Sequence, residues 1–97
     1  MSYTITRVEL HSANYVDYVT LHEAMDSQGF RRYYDTNGYR YHLPEAEYIR
    51  WNGSAKGDLQ LAETAAAQTG KAASIMVSLP SDFEQSGLRK EKLSATG

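Results

Sequence analysis

An α+β domain in the order strand–helix–strand–strand–helix–strand is what this 97-residue chain predicts. Three observations carry the prediction. Period-two runs stand at both ends of the patterned sequence, residues 3–10 and 72–79. Two stretches of helical spacing lie between them, each stopped by a glycine, Gly29 and Gly70. Between the helices, Asn37-Gly38 has the turn chemistry of a tight hairpin.

The first strand alternates, so Thr4, Thr6, Val8 and Leu10 share one face and Tyr3, Ile5, Arg7, Glu9 and His11 the other. A helix is predicted over residues 15–28. Asn14 is its cap, Asp17 sits at its positive end, and Tyr15, Tyr18, Leu21 and Met25 recur along one side. A hairpin follows: residues 30–35 form one arm and residues 39–51 the other. Pro44, which has no N–H to give a ladder, is expected to bulge the second arm or leave it at an edge. Asn52-Gly53-Ser54 starts the second helix, whose narrow face is Leu59, Ala62 and Ala66. In the last strand Ile75, Val77 and Leu79 alternate with Ser74, Met76 and Ser78, and Pro80 stops it.

This order predicts a ferredoxin-like βαββαβ sandwich over residues 1–80, a four-stranded antiparallel sheet with both helices on one face. Residues 81–97 have sparse apolar positions without a sustained period, so they are expected to be a flexible C-terminal tail or an arm docked on a partner. The opposite sheet face would be bare, and a bare face carrying Tyr3 and Ile5 calls for a cover. A second copy is the expected cover, which makes a homodimer the expected state.

Composition narrows the function. Without cysteine there is no disulfide, thiolate nucleophile or zinc–thiolate site. No basic and apolar leader opens the chain, and no apolar run approaches the ~20 residues of a bilayer span, so a cytoplasmic location without membrane attachment is expected. A formal net charge of -2 argues against a dedicated duplex-DNA binder. Local charge differs from the total, however: Arg31, Arg32, Arg40 and Arg50 fall in one stretch and Arg89, Lys90 and Lys92 in another, a pattern that suits a groove for a short single strand. No phosphate-cradling glycine loop, Ser-His-Asp set or dinucleotide fingerprint is present, and no small-molecule cofactor is expected.

Several segments resemble the GhoS-type endoribonuclease antitoxins of type V toxin–antitoxin systems. They are Val8-Glu9-Leu10-His11, Tyr18-x-x-Leu21-His22-x-x-Met25, Gly29-Phe30, Tyr41-His42-Leu43-Pro44-x-x-Glu47-Tyr48, and the run from Ala65 to Lys71. The likeness spans about residues 3–79. It implies a ferredoxin-like fold similar to that of VapD and of small CRISPR-associated nucleases, together with cleavage of a membrane toxin's message by a bacterial protein. Glu9 stands where those nucleases carry an acidic residue at the end of the first strand, although theirs is an aspartate.

Metal-free RNA cleavage needs a base for the 2′-hydroxyl, an acid for the leaving oxygen and a cation for the phosphorane. Arg7, Glu9 and His11 share one strand face at spacing two and are the candidate catalytic row; Arg31, Arg32 and Arg40 are the candidate RNA-binding residues. The same row read plainly is a surface ion pair of about 0–1 kcal/mol. His22 read plainly is a helix-surface partner of Asp26. No histidine pair has ligand spacing, so no metal site is expected. The five tyrosines at 33, 34, 39, 41 and 48 suit either base stacking or strand packing. Beside the endoribonuclease reading stands a non-catalytic homodimeric module that binds single-stranded RNA or a protein.

Overall fold

The structure, a computed structural model, describes residues 2–93. It is α+β, with strands β1 (Tyr3–Leu10), β2 (Tyr33–Thr36), β3 (Tyr39–His42), β4 (Glu47–Trp51), β5 (Ala73–Ser78) and β6 (Lys90–Lys92). The helices are α1 (Tyr15–Ser27) and α2 (Ala55–Ala67). The strands form two antiparallel three-stranded sheets, β4-β1-β5 and β2-β3-β6, instead of the single four-stranded sheet expected.

The departure begins at Pro44. The predicted second arm of the hairpin is cut there into β3 and β4, for two backbone reasons. Pro44 cannot donate to a ladder, and Ala46 takes a positive φ of 70° within the turn that Glu47 N–H closes on the Pro44 carbonyl. β3 stays with β2 across the turn at Asn37 and Gly38, whose φ values of 52° and 80° are those of a type I′ hairpin. β4 instead joins β1. The remaining link between the hairpin arm and β4 is one bridge, Arg31 to Ile49.

The alternation in β1 is seen as expected: Thr4, Thr6, Val8 and Leu10 are buried, while Arg7 and Glu9 are exposed. Val8 and Leu10 join Leu21, Ala24 and Met25 of α1 and Ala62, Ala65 and Ala66 of α2 in one core, so both helices cover the same face. The small α2 residues let it lie close to β1 and β5. α1 starts at the predicted cap as a full capping box: Asn14 Oδ1 accepts from Asp17 N–H, and Asp17 Oδ2 accepts from Asn14 N–H, both at 3.0 Å. Its end comes at Gly29, at φ 93°. Of the two tyrosines expected on the packed side, Tyr15 is 82% exposed, while Tyr18 packs as expected, its hydroxyl accepting from Leu10 N–H at 3.0 Å.

The segment expected to hang loose carries structure over residues 81–93, while residues 94–97 lie outside the described part. Phe83 sits edge-on against Tyr3 of β1 and Tyr34 of β2, with centroids at 5.6 and 5.0 Å. Beyond it β6 pairs with β3, and His42 N–H donates to the Arg89 carbonyl at 2.9 Å. The sheet face opposite the helices is thus partly covered by the chain itself. Ile49, on that face opposite Ile5, is 1% exposed. The Arg7–Glu9 end stays open, with Met76 beside it 73% exposed.

Candidate functional site

The candidate catalytic row lies on the open end of the main sheet. Arg7 and Glu9 project from β1 beside Met76 and Ser74 of β5. His11 falls just past the strand, where its Nε2 shares a 2.8 Å hydrogen bond with Ser74 Oγ. Together Arg7, Glu9, Ser74, Ile75 and Met76 line a shallow hollow of about 310 Å³ that none of Arg31, Arg32 and Arg40 reaches. The hairpin arginines expected to add charge to this row are therefore not brought to it.

Two of them meet elsewhere. A cleft of about 630 Å³ opens between the C-terminal half of α1, the base of the β2-β3 hairpin and the returning chain at residues 87–89. Arg31, Arg32 and Arg89 line it, as do His22 and His42, against the two carboxylates Asp26 and Glu45. Arg40 is outside it. Its guanidinium forms a two-point pair with Asp35, at 2.8 and 3.1 Å, and lies 3.8 Å from the Tyr33 ring centroid. That pairing holds the Asp35 carboxyl below its usual range.

His22 is the best-defined group of the cleft. The helix-surface pair with Asp26 does not form; Asp26 is taken by Arg31 at 3.0 Å. His22 instead bridges inward and outward. Its Nε2–H donates to Glu45 Oε1 at 3.0 Å, because a carboxylate only accepts, and Nδ1 then accepts from Tyr48 O–H at 2.6 Å. Burial holds the imidazole below its ordinary 6.5, and Arg32 pushes the same way against an opposing pull from Glu45. Burial likewise drives the Tyr48 hydroxyl well above its ordinary value, so it remains a donor near neutral pH. The tautomer is therefore set by Glu45, which can only accept, and Tyr48 donates to the nitrogen left bare.

Glu45 closes the chain of contacts. Its second oxygen lies 3.6 Å from Arg32, and its side chain is 68% exposed in the Pro44 turn. On the far wall, His42 Nε2–H donates to Glu91 Oε1 at 2.8 Å. The site thus presents several donors, two of which converge on one exposed, replaceable carboxylate. Among the described residues no group of three His, Asp or Glu side chains is placed to hold a metal ion, and no helix is long and apolar enough to cross a membrane.

Of the residues assembled here, Arg31 and Arg32 were legible beforehand as a basic pair. His22, Glu45 and Tyr48 carry no mutual spacing signal, since residues 22 and 45 meet only through the packing of α1 on β4. Arg89 was legible as part of a second basic stretch with Lys90 and Lys92, but its return to this cleft was not, because its segment lacks apolar period. Compared with known proteins, the chain significantly matches no family model, no curated protein and no solved structure.

Proposed function

We propose that the chain is a GhoS-like endoribonuclease antitoxin acting on single-stranded RNA, built on a ferredoxin-like order, with the phosphodiester seated in the arginine cleft. The order is supported by the Arg31–Ile49 bridge. It sets Arg31, just before β2, beside β4 at the edge of the β5-β1-β4 sheet, the neighbour that a ferredoxin-like order calls for.

One observation carries the placement of the RNA: Arg32 and His22 Nε2–H both point at the exposed carboxylate of Glu45. A phosphate needs the same donors at similar geometry. An incoming phosphodiester replaces Glu45 on them, and Arg31 and Arg89 flank it from the cleft walls. In that position Arg32 offsets charge growing on the phosphorane. Tyr48 occupies the remaining nitrogen of His22, so proton transfer falls to His42 across the cleft, whose Nε2–H is held by the exposed Glu91 and whose Nδ1 bonds no side chain among the described residues.

That last point favours a second reading. With one His22 nitrogen held by Tyr48 and the other donating to the phosphate, the cleft is also suited to holding RNA without cutting it. The experiment is incubation of the protein with labelled single-stranded RNA, with EDTA and with magnesium in parallel. Cutting is expected in EDTA, lost in Arg32→Ala and His42→Ala and kept in Arg7→Ala and His11→Ala. Glu45→Gln, which weakens the internal competitor, is expected to bind RNA more tightly. Loss of cutting in His11→Ala alone returns the chemistry to the β1 row. Cutting only with magnesium moves it to Glu9. Binding without cutting selects the second reading, and no binding overturns both.

A further inference from the structure

The small sheet has two unlike faces. Directly opposed residues of antiparallel strands project to the same side. The pairs Tyr34–Tyr41, Thr36–Tyr39, Tyr39–Lys92 and Tyr41–Lys90 therefore place three tyrosines and two lysines on one face. The pairs Tyr33–His42, Asp35–Arg40 and Arg40–Glu91 place the ion-paired groups on the other. Both carboxylates of these three strands fall on that second face. A chain with net charge -2 thus keeps its tyrosine–lysine face free of strand carboxylates.

The rings on this face are arranged side by side. Tyr34 and Tyr41 stack with centroids 5.3 Å apart and planes at 17°. Lys90 Nζ stands 4.8 Å from the Tyr39 centroid and 6.0 Å from that of Tyr41. Phe83 closes the Tyr34 end, where Glu84 also faces Tyr34. Tyr41 beside Tyr34 and Tyr39 beyond it are half-buried, and Lys90 and Lys92 are exposed. Flat rings interleaved with cations that pair with no carboxylate among the described residues are what a single-stranded nucleic acid requires, since every base has a π-face and every linkage a charge. A protein partner able to use the same face would need matching acidic groups, whereas RNA supplies both features at once.

We infer that this face is a single-stranded RNA platform, on which bases stack against Tyr39 and Tyr41 while Lys90 and Lys92 hold the flanking phosphates. The inference rests on the RNA reading of the cleft but concerns a different surface, so the two fail separately.

The test is fluorescence anisotropy with a short labelled oligouridylate and with an abasic oligonucleotide of the same length. The wild-type protein is expected to prefer the base-bearing probe. Tyr39→Ala, whose ring stacks on no other ring among the described residues, is expected to weaken that probe by between about 5-fold and 100-fold and to abolish the preference. Tyr41→Phe keeps the ring and is expected to bind as wild type. Replacing both lysines by alanine is expected to flatten the slope of log affinity against log salt by about 1.4. Equal binding of the two probes, or wild-type affinity in Tyr39→Ala with its circular dichroism unchanged, overturns the platform. Either result leaves the cleft standing if Arg32→Ala still loses binding or cutting. A wild-type protein that binds neither probe overturns platform and cleft together.

Discussion

At the scale of single residues, His22 joins core to surface. Tyr48 holds one ring nitrogen from inside and Glu45 holds the other from outside. Burial lowers its pKa in the fold, so in the unfolded chain it takes up a proton first as the pH falls. Above about 6.5 both states are neutral and the group adds no pH dependence. As the pH drops through 6.5 the unfolded state is favoured, and the loss grows until the folded-state value is reached. Melting temperatures measured from pH 7.5 down to 5 are therefore expected to fall more steeply for wild type than for His22→Gln (roughly one unit either side of the reference value). Parallel curves for the two proteins would contradict this.

Asp58 shows how single elements are locked together. It is a carboxylate 1% exposed in the first turns of α2. Thr4 O–H of β1 donates to it, and Arg50 of β4 pairs with it at 2.9 Å. Gly53 passes so close that a methyl group there would run into the carboxylate. One side chain thereby ties the start of α2 to two strands of the main sheet. Removing it strands Arg50 and Thr4 beneath the helix. Asp58→Ala is expected to cost about 3 kcal/mol, near the lower end for a broken buried pair because Arg50 keeps some solvent. Denaturant unfolding measures it. A loss under about 1 kcal/mol would mean the pair behaves as a surface bridge.

For the whole molecule, the chain after β5 ties the two sheets. Phe83 stands between Tyr3 and Tyr34, and β6 completes the small sheet. Ending the chain after Pro80 uncovers Ile5 and Leu43, which with Phe83 and Leu88 line the hollow between the sheets. It also leaves a two-stranded hairpin, which is marginal in water. Partial burial of two apolar side chains puts the loss at about 2 kcal/mol, or roughly 8–16 °C in melting temperature for a domain of this size. An unchanged melting temperature would show that the strap adds nothing to the fold.

What the sequence determined by itself is whatever depends on neighbours a few residues apart. Alternation set the two faces of β1, an i,i+3 capping box set the start of α1, and positive-φ residues set the Asn37-Gly38 turn. Arg31 and Arg32 were visible as a basic pair for the same reason. Pro44 marked in the sequence where the second arm breaks, and tertiary structure decided that the break divides the strands into two sheets. Whether β4 pairs with the hairpin or with β1 depends on burying Tyr48 under α1, and no local period encodes that. It also decided that the chain from residue 83 folds back, since Phe83 and Leu88 find their partners far away in sequence. The cleft is the product of both decisions. His22, Glu45 and Arg89 come together only once α1, the Pro44 turn and the returning strap are packed, which is why the candidate row on β1 was legible in the sequence and the cleft was not.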